Sequence, residues 1–319
     1  VNPDGAADEH HEPEQGRDWW RRWLGAVRDP DGSWEIGSAR RAADGTLRCP
    51  VDLTSYGTTM RAELVRPAGE DVRPAVVVPF YEVATLFGEP CARTAGRGPA
   101  QRGSQAYARH LVARGFAVLA VPWWFEYVLD PGTGAASLSE RYGPSAASHA
   151  DSLAITGLGR SLADLFLAVD ALACVPWVAP RRIGAFGHSL GGKLALHLTA
   201  LDTRIAAGVA HEPGLGLAYS NWADPWYLGG AVPPDRDHDD LLALVAPRPF
   251  LLAGGGASDG WHNHPLVERA ARRWPGPPGL ETLYHNTGHA HPDHVLDACY
   301  AWLRGRLAAV DTPEETCPP

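Results

Sequence analysis

Lysine is almost missing from this chain of 319 residues: Lys193 is the single one, and arginine supplies the rest of the 28 basic side chains. Methionine is as scarce, with Met60 alone, and the five cysteines (Cys49, Cys91, Cys174, Cys299, Cys317) are odd in number and widely spaced. With no Cys-x-x-Cys pair among them, a disulfide framework or a zinc ribbon is not indicated, and one bridge is the most they suggest. There is no run of about 18 apolar residues to span a bilayer, and the first residues lack a basic-then-apolar leader pattern. Dense basic runs are missing too; the net charge is −9 and the sequence pI near 5.8. That balance argues against nucleic acid and anionic membranes as partners and for a small-molecule substrate. These absences point to a cytoplasmic chain, while a start at Val1 leaves a processed secreted form open. The length suits one α/β core with an insertion.

What is present is organised around Ile183-Gly184-Ala185-Phe186-Gly187-His188-Ser189-Leu190-Gly191-Gly192-Lys193. An apolar run stops at a glycine-flanked serine and resumes as Leu194-Ala195-Leu196-His197-Leu198, the pattern of a strand, a sharp turn and a helix. In Gly-x-Ser-x-Gly the serine sits at the tip of the turn, and the glycines let strand and helix backbones pass closely. Ser189 then projects its hydroxyl above the sheet, and the Leu190 amide, in the first helical turn, points at any oxyanion forming there.

These residues, with Ala246-Pro247-Arg248-Pro249 and Gly288-His289, resemble the α/β-hydrolase superfamily over roughly residues 50 to 308. More narrowly, the chain resembles the esterase branch that includes dienelactone-hydrolase-like proteins, acetyl xylan esterases and glucuronoyl esterases. The resemblance implies a mostly parallel, doubly wound sheet with helices on both faces and a lid-like insertion. It also implies the chain order nucleophile, acid, histidine, met here by Ser189, Asp259 after the seventh strand, and His289 after the last. Glu212, after the sixth strand, is the rival acid, because glucuronoyl-esterase-like proteins can place it there. The second oxyanion amide falls on Tyr81, where Pro79-Phe80-Tyr81 replaces the family's His-Gly-x segment. Glucuronoyl esterases also carry a lysine just after the elbow that contacts the sugar acid, which makes Lys193 a candidate substrate contact; a buried pair with Glu212 is the structural alternative.

The rest of the chain divides as follows. Residues 1–16 are acidic and polar and read as a disordered tail, residues 17–310 as one domain, and 311–319 as a frayed end. Residues 18–28 form a Trp-rich helix docked on its own domain or a second subunit. Runs 38–41 and 47–51 pair around Asp44-Gly45, Met60–Val65 alternates, and Pro74–Tyr81 and Phe116–Val121 are buried strands. Residues 122–150 read as a Gly/Ser/Ala-rich stretch whose Trp123 and Trp124 either stand near the sheet's carboxyl edge, where α/β ligands bind, or form a hydrophobic patch that packs the insertion. One long helix follows over Ser152–Cys174. The loop 212–237, with Trp222 and Trp226, reads as a lid or substrate wall, with a structural plug that shields the sheet edge as the alternative. His262-x-His264 and His289-x-His291 do not make a metal site without a His-Glu-x-x-His helix, and serine chemistry needs neither metal nor cofactor. The reading is a serine hydrolase of a small carboxylic ester or lactone; acyl transfer, thioester cleavage and a non-catalytic binding protein of the same fold are the alternatives.

Overall fold

Runs such as Ala75–Val78 and Ala117–Val121 show no polar alternation, so a strand made from either must be covered on both faces. The computed structural model, which describes residues 13–25, 28–129, 137–256, 259–277 and 279–308, places them side by side in a ten-stranded sheet. The strands are β1 (Ser33–Ile36), β2 (Arg40–Arg41), β3 (Leu47–Ser55), β4 (Thr58–Arg66), β5 (Arg73–Phe80), β6 (Ala117–Pro122), β7 (Val178–His188), β8 (Ile205–His211), β9 (Phe250–Gly254) and β10 (Leu280–Tyr284). Their order is β1-β3-β4-β6-β5-β7-β8-β9-β10, with β2 paired to β3. Strands β1 to β4 are antiparallel and join β6 in the same sense; every pairing from β6 across to β10 is parallel. The chain leaves β5 for β6 on one side and returns to β7 on the other. The crevice at the carboxyl ends of β5 and β7 is therefore the switch point, where ligands of open α/β sheets bind.

The helices are α1 (Pro13–Leu24), α2 (Val83–Phe87), α3 (Pro99–Ser104), α4 (Tyr107–Val112), α5 (Trp124–Tyr127), α6 (Leu138–Ser152), α7 (Gly157–Ala173), α8 (Leu190–Leu201), α9 (His238–Ala243), α10 (His264–Ala271) and α11 (Asp293–Leu307). One face of the sheet packs against α7 and α8 through Leu162, Leu165, Val169, Leu194 and Leu198. The other packs against α4 and α11 through Tyr107, Leu111, Leu296, Cys299 and Leu303. This is the doubly wound α/β architecture expected from the sequence.

Four local expectations need correction. The helix read over 18–28 begins at Pro13 and ends at Leu24, because Glu14 pairs with Arg17 and Arg21 and Arg17 donates to the carbonyls of Ala200 and Leu244. The tail read over 1–16 therefore loses its last four residues; residues 1–12 and 311–319 lie outside the described residues. The long helix read over Ser152–Cys174 starts later, at Gly157: Ser152 is the last residue of α6, and residues 153–156 are not helical. Thr156 caps α7 by accepting from the Gly159 amide at 2.9 Å and donates its own hydroxyl to Leu24 O at 2.8 Å, so the chain is extended before Gly157. The Gly/Ser/Ala-rich stretch holds α5 and α6, the latter opened by a Ser137/Glu140 capping box. Finally, the loop 212–237 is a packed plug and no lid: Leu215, Trp222, Trp226, Tyr227 and Leu228 are buried in the main core. The Tyr227 carbonyl accepts from Leu158 N, which ties the loop to the start of α7.

Candidate active site

Strand β7 ends at His188 and α8 begins at Leu190, leaving one residue to reverse the backbone. Ser189 does so at φ 57°, in the left-handed region that a non-glycine residue enters only when its surroundings enforce it. The enforcement is visible. A Cβ on Gly187 would overlap the backbone of Gly191, one on Gly191 would overlap the Pro79 carbonyl of β5, and one on Gly192 would stand 2.7 Å from His211 O of β8. The elbow is thus wedged between the ends of β5 and β8, and Ser189 N donates to His211 O at 2.9 Å. Ser189 stays half-buried, and its Oγ lies 2.9 Å from Nε2 of His289, whose side chain is 46% exposed. A base that reaches the hydroxyl and is open to solvent is what nucleophile activation requires.

Behind the imidazole stands Glu212. It follows β8 at φ 53°, a second non-glycine residue in the left-handed region. Its backbone N donates to Ala253 O at 2.8 Å, and its Oε1 accepts from Gly255 N. That leaves Oε2, buried and without another hydrogen bond, 3.5 Å from Nδ1 of His289. A shift of about 0.5 Å brings this pair to hydrogen-bond distance.

The expectation that Asp259 orients His289 is corrected by the same geometry. Both Asp259 oxygens are already engaged: Oδ2 accepts from Gly214 N at 2.6 Å, and Oδ1 from Leu215 N and Asn263 Nδ2, each at 2.8 Å. No ion-pair contact joins it to His289 among the described residues. Burial first, and the nearby Glu212 charge second, raise its pKa to about 6 against the lowering effect of those amides. Asp259 pins the start of the 212–237 loop.

The remaining expected residues divide by burial. Leu190 N opens α8, where amides lack intrahelical partners, and Tyr81 immediately follows β5 across the crevice. The Arg93 guanidinium lies 3.4 Å from the centroid of the Tyr81 ring. Trp123 is a core residue whose indole donates to Ser161 Oγ at 3.1 Å. Trp124 is half-buried against Phe125 and His149. Trp222, at 0% exposure, donates to Gly214 O at 2.7 Å, and Trp226 packs on Tyr142. These tryptophans have little or no surface to offer a substrate, because the loop that carries Trp222 and Trp226 fills the core. Lys193 is 5% exposed; its Nζ donates to Ser220 Oγ at 3.0 Å and sits 3.6 Å from the Trp222 ring centroid. It makes neither the expected pair with Glu212 nor any other ion pair among the described residues. Burial lowers its pKa to about 7, and the Asp259 and Asp224 charges oppose that shift.

Sequence reasoning did not find the imidazole cluster beneath the site. His188 and His211 are register partners at the ends of β7 and β8, with Nδ1 atoms 3.0 Å apart. His211 Nε2 lies 3.0 Å from His285 Nε2, which is 3.7 Å from Glu212 Oε1. His285 Nδ1 meets Thr287 Oγ1 at 2.7 Å. The available signal was position: parallel strands in register bring their last residues together, and β7, β8 and the exit of β10 each end in histidine. Exposed aromatic surface was also missed. Trp261, 74% exposed, stands over Tyr284, and Tyr219 lies against His262.

An acetyl xylan esterase (AXE1) family model matches residues 160–220, the span from α7 through Ser189 to Glu212. Among solved structures, a glucuronoyl esterase from Teredinibacter turnerae T7901 superposes with a TM-score of 0.67 at 20% identity, covering 92% of this chain and 85% of that one. A glucuronoyl esterase from Solibacter usitatus gives 0.64 at 16% identity, with 88% and 87% covered. Acetyl xylan esterase 1 from Thermoanaerobacterium sp. JW/SL YS485 gives 0.58 at 17% identity, with 93% and 95% covered. The chain therefore has the α/β-hydrolase fold and resembles the serine-esterase branch of acetyl xylan and glucuronoyl esterases.

Proposed function

We propose that the protein hydrolyses carboxylic esters of carbohydrates through an acyl-enzyme, with Ser189 as nucleophile, His289 as general base and Glu212 as the acid that orients it. The observation that carries this reading is the line Ser189 Oγ, His289 Nε2 at 2.9 Å, and Glu212 Oε2 at 3.5 Å from His289 Nδ1. Glu212 Oε2 facing Nδ1 favours the tautomer with the proton on Nδ1, which frees Nε2 to take the serine proton. Ser189 Oγ then bonds to the acyl carbon, and the carbonyl oxygen becomes an oxyanion held by the Leu190 and Tyr81 amides. Collapse of that intermediate expels the alcohol, which takes its proton from His289. Water, activated by the same imidazole, attacks the acyl-serine and releases the acid.

The carbohydrate assignment is supported by the names of the similar proteins and by Trp261 and Tyr219, whose exposed rings offer apolar faces to the C–H side of a sugar. A fluorophosphonate probe should label the wild type once, at Ser189, and leave Ser189→Ala unlabelled. Ester turnover should fall about 10³-fold or more in that variant. Labelling elsewhere, or retained turnover, overturns the acyl-enzyme. Comparing acetylated xylo-oligosaccharides and methyl glucuronate with p-nitrophenyl acetate tests the substrate class: no preference for either sugar ester removes it.

A further inference from the structure

We propose that His211, Glu212 and His285 form a binding site for a zinc-class divalent ion, directly behind the active-site histidine. Two imidazole nitrogens and a carboxylate oxygen converge there: His211 Nε2 and His285 Nε2 are 3.0 Å apart, His285 Nε2 and Glu212 Oε1 are 3.7 Å apart, and all three atoms lie within 4.8 Å of one another. Ligands about 2.0 to 2.2 Å from a tetrahedral ion stand roughly 3.3 Å apart, so small shifts of these side chains close the set. The mix of nitrogen and oxygen donors favours zinc or a neighbouring transition metal over magnesium or calcium, which prefer all-oxygen sites.

The far-side nitrogens of the two imidazoles are held as well: His285 Nδ1 meets Thr287 Oγ1 at 2.7 Å and His211 Nδ1 meets His188 Nδ1 at 3.0 Å, while Gly255 N donates to Glu212 Oε1 itself. Such outer partners fix imidazole orientation in metal sites. Without an ion, one hydrogen must occupy the gap between the two Nε2 atoms. On binding it moves to His285 Nδ1, where Thr287 Oγ1 accepts it while His211 Nδ1–H donates to His188 Nδ1, so both Nε2 lone pairs face the ion and no proton leaves the site.

Occupation would also silence the esterase. An ion on Oε1 draws the Glu212 charge away from Oε2, and His289 Nδ1 loses the partner that fixes its tautomer. This consequence, unlike the site itself, rests on the proposed triad.

Titration of the full chain with zinc chloride by calorimetry should show a micromolar site that is weakened more than about 100-fold in His285→Asn and retained in His289→Asn. Thr287→Val, which alters an exposed outer partner and guards against misfolding of the buried variant, should weaken zinc about 10- to 100-fold. Magnesium should not bind. No zinc binding by the wild type, equal binding by His285→Asn and Thr287→Val, or loss in His289→Asn alone overturns the site. Zinc should also inhibit ester turnover, with EDTA restoring it. Binding that depends on His285 but leaves turnover unchanged would keep the site and remove Glu212 from the triad.

Discussion

Glu212 and Asp259 are both buried carboxylates that follow parallel strands of one sheet, yet they are held in different ways. Asp259 spends both oxygens on Gly214 N, Leu215 N and Asn263 Nδ2. Glu212 engages one oxygen with Gly255 N and turns the other to His289. A triad acid needs an oxygen left over; a carboxylate that closes a loop has none. Chain position after a strand therefore does not decide the role, and the inventory of donors around each carboxylate does.

The largest expected effect that tests this contrast is Glu212→Gln, which should lower kcat about 10³-fold with KM little changed, because the amide no longer favours the productive His289 tautomer. Steady-state kinetics on any accepted ester measures it, and a loss below about tenfold would reassign the acid. Next is Gly255→Ala. Its Cβ would overlap the Gly288 carbonyl and His285 Cε1 and stand 2.7 Å from Glu212 Oε1. Displacing the carboxylate in this way should cost about 10²-fold in kcat, and full activity would show that Glu212 tolerates a looser seat.

Asp259→Asn should change kcat only a few-fold and lower Tm, since the new amide must turn an N–H toward backbone donors, a mismatch of about 1 to 3 kcal/mol. Thermal melts beside kinetics separate the outcomes; a kcat collapse without a Tm change would reverse the comparison. The smallest effect on turnover is expected from Lys193→Met, whose signature is in stability. The folded chain holds the Lys193 proton with a pKa near 7 against 10.5 for the free side chain. The unfolded chain thus binds more protons between those values, and the cost of burying the amine is complete below about pH 7 and fades as pH rises toward 10.5. Lys193→Met should raise Tm more at about pH 6 than at about pH 9, and a uniform change would mean that the ammonium is not penalised in the fold.

Much of this arrangement is written in local pattern. The apolar strands, the glycines around Ser189 and the Gly288-His289 exit from β10 each act over a few residues, so the elbow and its meeting with His289 were legible. The choice between Glu212 and Asp259 was not, because it depends on amides at 214, 215 and 255 that only tertiary packing brings to the two carboxylates. The misreading of Trp222 and Trp226 has the same origin. An irregular segment rich in aromatics reads as a surface wall, but here its backbone polar groups are satisfied by internal turns and by α7, which lets the tryptophans enter the core. The later start of α7 was hidden because Thr156, besides its local cap, is fixed by donating its hydroxyl to the carbonyl of Leu24, far away in the sequence.

A chain with one lysine, buried at 5% exposure, also carries its own internal clock. Amine-reactive reagents require a free, deprotonated amine, and peptide mapping resolves modification at residue 193 from any at the chain terminus. The Lys193 amine becomes accessible only when the plug formed by Trp222, Tyr227 and Ser220 lifts away, an opening event with its own free energy. The rate of acylation at this single position therefore times the local opening of the 212–237 segment. Arginine over the rest of the surface leaves no competing side-chain amine to blur that reading.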